Sequence, residues 1–119
     1  MKTALLAVAK ALALDFEKIL AAEGFKIFKA EDGQELVDLA REIKPDVIIL
    51  EKKLPVLDGL SAVLLLKNSQ ETRHIPIVAV CEEKCNQEEE AQDAGCDAYL
   101  TRPLKADKIR QILKELVAR

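Results

Sequence analysis

Residues 44–51, Lys-Pro-Asp-Val-Ile-Ile-Leu-Glu, are the stretch that decides the fold of this chain. Pro45 ends the helical pattern before it, because a proline cannot continue a helix and disfavours helical geometry in the residue that precedes it. Val47 to Leu50 then form an apolar run with no polar position. A strand that is apolar at every position is covered on both faces, which is typical of a parallel sheet between two layers of helices.

The same alternation of a short apolar run and a helical stripe extends through the rest of the chain. The runs are Ala4 to Val8, Phe25 to Phe28, Val47 to Leu50, Ile77 to Val80 and Ala98 to Leu100. The stripes are Leu12/Phe16/Ile19/Leu20, Leu36/Ala40/Ile43, Leu60/Val63/Leu66 and Ile109/Ile112/Leu113/Leu116. Apolar residues three and four positions apart indicate amphipathic helices. The pattern predicts an α/β fold of the flavodoxin-like, doubly wound (βα)5 type, with a five-stranded parallel sheet.

Local signals place the ends of the helices and one edge of the sheet. Gly24 lies where the first helix should end, and Asp32 with Glu35 forms a capping box at the start of the second. The run from Phe25 to Lys29 carries two lysines, and charge on an edge strand discourages pairing between chains. With this strand at the edge, the predicted order is 2-1-3-4-5, and functional residues are expected at the carboxyl ends of strands 1, 3 and 4.

Length and composition limit the kind of protein this is. The chain has 119 residues, a formal net charge of -3, 3 phenylalanines and 1 tyrosine. We expect a single domain over residues 1–119, and no nucleic-acid ligand, because phosphate binding needs a basic surface and single strands need stacking rings. Lys10 interrupts the apolar N-terminal run, which argues against a secretion signal, and no run reaches the ~20 residues that span a membrane. These features predict a cytoplasmic protein.

The cysteines are Cys81, Cys85 and Cys96. An odd number in a domain large enough to fold without disulfides favours reduced thiols. As metal ligands they lack a fourth partner and a nearby histidine, so a zinc site is disfavoured. A redox sensor that uses Cys81 and Cys85 stays open as an alternative.

Four motifs carry a family resemblance. They are Lys44-Pro45-Asp46-Val47-Ile48-Ile49-Leu50, Leu54-Pro55-x-x-Asp58-Gly59-Leu60, Thr72-Arg73-His74-Ile75-Pro76-Ile77 and Ala94-Gly95-x-Asp97-Ala98-Tyr99-Leu100-Thr101-x-Pro103-Leu104. In order and spacing they resemble the receiver domains of bacterial two-component response regulators, of the CheY-like superfamily. The resemblance implies a signalling domain of a phosphorelay rather than an enzyme. It also implies a site with an acidic pair for a divalent cation after strand 1, an Asp acceptor after strand 3, a hydroxyl after strand 4 and a Lys after strand 5.

Carried over by position, every member of that site is changed in this chain. The acidic pair falls on Ala7 and Val8, or on Val8 and Ala9 if the register slips by one, the acceptor on Glu51, the hydroxyl on Cys81 and the lysine on Arg102. Tyr99 keeps the aromatic switch position of the family, and Pro103 keeps its proline.

The replacements predict that magnesium does not bind. Magnesium needs about six oxygen ligands, and Glu51 is the only carboxylate that the five family positions supply. Lys10, Lys52 and Lys53 add positive charge at the same edge. No other cofactor is expected, because the loops lack the Gly, Ser and Thr donors with which a flavodoxin-type enzyme would hold a phosphate.

These changes favour a degenerate pseudo-receiver, a phosphorylation-independent interaction module whose partner is another signalling protein or an output domain. A Glu51–Arg102 ion pair would imitate the phosphorylated state, because glutamate carries its carboxylate further from the backbone and arginine offers a bidentate fork. Neutral drift is the competing explanation for the same residues. A working receiver that accepts a phosphoryl group at Glu51 is the alternative function.

If the site is silent, function must lie on a surface. Leu14, Leu64 and Leu65 fall outside the apolar stripes of their helices and are the candidate interaction surface. Residues 85–94 are read as a helix with few apolar anchors, either an ordinary solvated helix or a mobile segment. His74 precedes the fourth strand in a loop, where a surface role is expected.

Overall fold

The structure, a computed structural model, describes residues 2–81, 95–101 and 104–117. Strands and helices alternate along these residues. The elements are β1 (Lys2–Ala7), α1 (Lys10–Ala22), β2 (Phe25–Lys29), α2 (Gly33–Ile43), β3 (Val47–Glu51), α3 (Gly59–Lys67), β4 (Ile77–Cys81), β5 (Ala98–Thr101) and α4 (Ala106–Val117). The helix predicted at 85–94 lies outside the described residues.

All neighbouring strands of the sheet are parallel, in the order β2-β1-β3-β4-β5. The predicted fold and strand order are therefore confirmed. The lysine-bearing strand β2 lies at one edge, as its charges indicated. In register, Ala7 pairs with Leu50 and Glu51 pairs with Val80, so the carboxyl ends of β1, β3 and β4 lie side by side.

Two apolar clusters cover the two faces of the sheet. Alternate residues of each strand point to opposite faces, so Leu5 faces α2 and α3 while Leu6 faces α1 and α4. Phe16 of α1 and Leu36 of α2 are both 0% exposed. Each fully buried side chain of this size contributes about 1.5–3 kcal/mol relative to exposure, which fixes both helices on the sheet.

The two predicted helix boundaries are confirmed, and the predicted capping box differs in one contact. Gly24 follows the end of α1 with φ 85°, a conformation that favours glycine. At the start of α2, Oδ1 of Asp32 accepts a hydrogen bond from the backbone N–H of Glu35 at 2.8 Å. The carboxylate of Glu35 accepts in return from the N–H of Glu31 at 3.2 Å, one residue before the Asp32 N–H that a capping box uses.

A charged network fastens the amino ends of β4 and β5. Oδ2 of Asp97 accepts hydrogen bonds from the backbone N–H of Ile77 and from Nζ of Lys67, both at 2.9 Å. The same Nζ donates to the carbonyl oxygens of Arg73 and Ile75. These contacts lie at the amino ends of the strands, and the predicted site lies at their carboxyl ends.

Candidate functional site

A cleft of about 930 Å³ opens at the carboxyl ends of the strands, where the sequence places the site. Its walls are the start of α1, the end of β2 and the loop that follows β3. Lys10 and Lys53 are exposed residues on its rim, and Glu51 reaches into it from β3. The cleft therefore carries charges of both signs around an apolar floor.

The residues predicted to occupy the positions of the family's acidic pair are aliphatic in either register. Ala7 ends β1 and is 0% exposed, Val8 is half-buried, and Ala9 is the N-cap residue of α1. No side-chain oxygen is available from these three positions. The polar groups that the carboxyl end of β1 contributes to the cleft are consequently those of its backbone.

Glu51 makes the contact that defines this end of the sheet. Its Oε1 atom accepts a hydrogen bond from the backbone N–H of Ala9, two residues beyond the end of β1, the strand that pairs with β3. Helix α1 has no side-chain cap at Ala9 and no acidic residue in its first turn. Because the N-terminus of a helix presents free N–H groups and favours negative charge, the Glu51 carboxylate is well placed there. This contact was not predicted from the sequence, although an alanine at the N-cap position was a signal that the cap comes from elsewhere.

A close approach of backbones fixes Glu51 itself. A Cβ atom added to Gly59, the first residue of α3, would lie 2.2 Å from the carbonyl oxygen of Glu51. The N–H of Gly59 donates to the carbonyl oxygen of Lys52 at 2.7 Å. The glycine of the Leu54-Pro55-x-x-Asp58-Gly59 motif thus lets the start of α3 pack directly on the end of β3.

The remaining predicted site residues are described only in part. Cys81 ends β4, but its side chain lies outside the described residues, as do Arg102 and Pro103. The Glu51–Arg102 pair therefore stays a prediction. Tyr99, at the switch position, is half-buried on the α2–α3 side of the sheet with its hydroxyl oxygen buried.

The loop after β3 is held to α2 by a tight turn that the sequence analysis missed. The carbonyl oxygen of Pro55 accepts from the N–H of Leu57 at 2.7 Å and from the N–H of Gly33 at 3.2 Å. Val56, at the centre of this turn, has φ 67° and is 83% exposed, an unusual conformation for a β-branched residue. Beyond it, Asp58 caps α3. The hydrogen bond from the backbone N–H of Ser61 is the main cause that lowers the pKa of the Asp58 carboxyl, and a hydrogen bond from the Ser61 side chain lowers it further.

The one cysteine whose side chain is described is not activated. Burial raises the pKa of the Cys96 thiol to about 11, so the thiol stays protonated at neutral pH and is a poor nucleophile. In the described part of the chain no group of three His, Cys, Asp or Glu side chains is placed to hold a metal ion. The redox alternative rests on Cys81 and Cys85 and stays a prediction.

The candidate interaction residues are on the surface. Leu14 is 61% exposed and lines the cleft, while Leu64 and Leu65 on α3 are 48% and 43% exposed. Val56, which the sequence analysis did not select, is the most exposed large apolar residue among those described. Across residues 2–81, 95–101 and 104–117, no helix is both long and apolar enough to cross a bilayer.

Comparisons with known proteins agree with the fold and the motifs. The family described as the response regulator receiver domain matches residues 9–114. The polar-differentiation response regulator DivK of Brucella anthropi is 34% identical over 100 residues, which cover 83% of this chain and 81% of that protein.

Solved structures give the same result. The receiver domain of the sensor histidine kinase PA1611 from Pseudomonas aeruginosa PAO1, with a magnesium ion in its active-site cleft, has a TM-score of 0.89 at 27% identity and is covered over 98% of its length by 99% of this chain. The chemotaxis protein CheY4 of Vibrio cholerae has a TM-score of 0.84 at 20% identity, with 97% of each chain covered, which supports the fold. The chain therefore belongs to the response regulator receiver domain family of two-component signalling.

Proposed function

We propose that this receiver domain is a pseudo-receiver, which signals through protein contacts without accepting a phosphoryl group. The observation that carries the proposal is the hydrogen bond from the Ala9 N–H to the carboxylate of Glu51. At the position where the family has its acceptor, the side chain is longer and is already engaged within the domain. Its neighbours at the end of β1 are aliphatic.

The residues at the family's cation-binding positions do not fit a magnesium ion. Magnesium is held by hard oxygen ligands in near-octahedral geometry, usually including one or two carboxylates. Positions 7–9 supply no side-chain oxygen, and one Glu51 oxygen is committed to Ala9. The ammonium groups of Lys10 and Lys53 at the same rim oppose a further cation. Without a cation, the developing charge of in-line phosphoryl transfer loses its main stabilisation.

If no phosphoryl group is accepted at the cleft, the domain must signal through contacts on its surface. The partner we propose is another signalling protein or an output domain that contacts exposed apolar side chains. Leu14, Leu64 and Leu65 are the candidates, because each is a large apolar residue that is substantially exposed. Isolated exposed leucines are common in soluble proteins, so substitution of each must be compared with a polar neighbour of equal exposure.

Phosphorylation is the direct test. Incubation of the protein with acetyl phosphate and millimolar magnesium should leave its intact mass unchanged. Magnesium alone should cause no saturable shift of the backbone amide signals of residues 7–10 and 51–53. An added phosphoryl group that is lost in Glu51→Ala would overturn the proposal and establish the working receiver that uses Glu51. An addition that persists in Glu51→Ala would also overturn the proposal and would place the acceptor at another residue.

A further inference from the structure

The start of α1 differs from the starts of the two helices that follow it. Asp32 caps α2 and Asp58 caps α3, each through a hydrogen bond from a backbone N–H three residues further along. Ala9, at the corresponding position of α1, has no side-chain oxygen to offer. The first four N–H groups of a helix need acceptors from outside the helix, and an uncapped end frays.

Glu51 supplies what Ala9 lacks. In a capping box, a glutamate in the first turn accepts a hydrogen bond from the N–H of the N-cap residue. Here the N–H of the N-cap residue Ala9 donates to a glutamate that lies 42 positions away in the sequence. We propose that Glu51 is a tertiary N-cap, a positioning residue that holds the start of α1 on the end of β3 and so fixes the wall of the cleft.

The register of the sheet explains why the longer acid suits this role. Ala7 pairs with Leu50, so Glu51 lies level with the residue after β1 and must reach beyond it to Ala9. An aspartate at position 51 is one methylene shorter and reaches less far. Gly59 keeps the main chain of Glu51 in place, because its lack of a side chain allows the close contact with the Glu51 carbonyl.

The same contact also positions the residues of α1 that line the cleft. Lys10 and Leu14 belong to α1, and both line the cleft. Their position relative to the loop after β3 therefore depends on the Glu51–Ala9 contact. The inference rests on the proposed function in one respect, since the cap holds α1 permanently only if the Glu51 carboxylate never receives a phosphoryl group.

Amide exchange in Glu51→Ala tests the inference. The amide of Ala9 loses its acceptor, and the amides of Leu12 and Ala13, which donate to the Ala9 carbonyl, lie in the turn that the cap holds. We expect these three amides to exchange about twofold faster than in the wild type, as loss of a partly exposed helix cap implies. The amides of β4, remote from this turn, should keep their rates.

Two control variants separate the hydrogen bond of Glu51 from its charge and from the general loss of a carboxylate at the cleft. Glu51→Gln keeps an acceptor oxygen without the charge. The increase in amide exchange rate at Ala9, Leu12 and Ala13 should therefore be smaller than in Glu51→Ala. Glu31→Ala removes a carboxylate that lines the same cleft from the other wall, and it should leave the Ala9 amide unchanged. Unchanged exchange at Ala9, Leu12 and Ala13 in Glu51→Ala, or an equal increase in Glu31→Ala, would overturn the inference.

A local cap provides a second readout if Glu51→Ala unfolds. Ala9 has the extended geometry of a capping residue, with φ -59° and ψ 151°. Ala9→Ser therefore offers a hydroxyl acceptor to the first turn, and the double variant Ala9→Ser/Glu51→Ala should recover the protection of Leu12 and Ala13. Sodium formate should partly replace the missing carboxylate in Glu51→Ala, and sodium chloride at equal ionic strength should not. Failure of both rescues would overturn the inference.

The two proposals fail in different measurements. A phosphoryl group found on Glu51 in the wild type, with faster exchange of α1 in Glu51→Ala, would overturn the proposed function alone. Unchanged exchange together with an unmodified mass would overturn the tertiary cap alone.

Discussion

The N-termini of α1 and α2 are both capped by a carboxylate, but the two carboxylates come from different parts of the chain. At α2, Asp32 lies three residues before the N–H that it accepts from, at 2.8 Å. At α1, the acceptor is Glu51, on another strand. A local cap forms whenever its own turn forms, whereas a tertiary cap forms only after the two strands have paired. The start of helix α1 therefore depends on the side chain of Glu51, which lies on another strand.

The largest expected effect breaks the α2 side of this comparison by steric overlap. A Cβ atom at Gly33 would lie 1.7 Å from the carbonyl oxygen of Leu57, which is main chain and has no side-chain rotamer to adjust. We expect Gly33→Ala to lower the free energy of unfolding by about 3 kcal/mol, the upper range for overpacking. Urea denaturation measures this loss. Gln34→Ala, at the exposed neighbouring position, should cost less than about 0.5 kcal/mol, and an equal cost would contradict the prediction.

A smaller effect compares the local cap with the tertiary one. Asp32→Ala should lower the free energy of unfolding by about 1 kcal/mol, while Asp32→Asn, which keeps an acceptor oxygen, should cost much less. Glu51→Ala should cost about 0.5 kcal/mol, because the contact is partly exposed to solvent. Chemical denaturation of the three variants gives the ranking. A cost for Asp32→Asn equal to that of Asp32→Ala would mean that the charge of Asp32, and not its hydrogen bond, stabilises the start of α2.

The smallest effect is a pH dependence at the cap of α3. Hydrogen bonds from Ser61 hold the pKa of Asp58 below its ordinary value of 3.8. A carboxyl with a lowered pKa in the folded state stabilises the fold above pH 3.8, and this contribution is lost as the pH falls through the folded-state pKa. Asp58→Asn should therefore lose less stability than the wild type between about pH 5 and pH 3. Thermal melting of both proteins across this pH range measures the loss. An equal fall in melting temperature for the two proteins would contradict the prediction. Because Asp58 is exposed, solvent screening keeps the difference small.

The fold could be predicted from the sequence because its signals are local and repeated. Apolar runs without polar positions specified buried strands, and stripes such as Leu12, Phe16 and Leu20 specified the buried face of a helix, as their burial confirms. The two lysines of β2 marked an edge of the sheet. The cap of α2 was also readable, because its donor and acceptor are three residues apart.

The altered site was predictable in composition and only partly in geometry. The resemblance implied, by position, that Ala7 and Val8 (or Val8 and Ala9) and Glu51 stand where the family has acidic residues. It suggested Arg102 as the partner of Glu51, and it gave no reason to consider the N–H of Ala9. Backbone groups carry no signature in a sequence, since every residue except proline has the same N–H. The tight turn at Val56 was missed because valine is not a residue type that marks a positive φ.

The sequence by itself determined the element order, the two-sided cover of the sheet and the absence of an acidic pair at the end of β1, because each depends on residue type and spacing of a few positions. Only the tertiary structure decided which backbone donor the Glu51 carboxylate meets and how closely Gly33 and Gly59 approach their neighbours. Those contacts join residues far apart in the chain. Their distances are set by the register of β1 against β3 and by the packing of α2 and α3, which exist only once the sheet has formed.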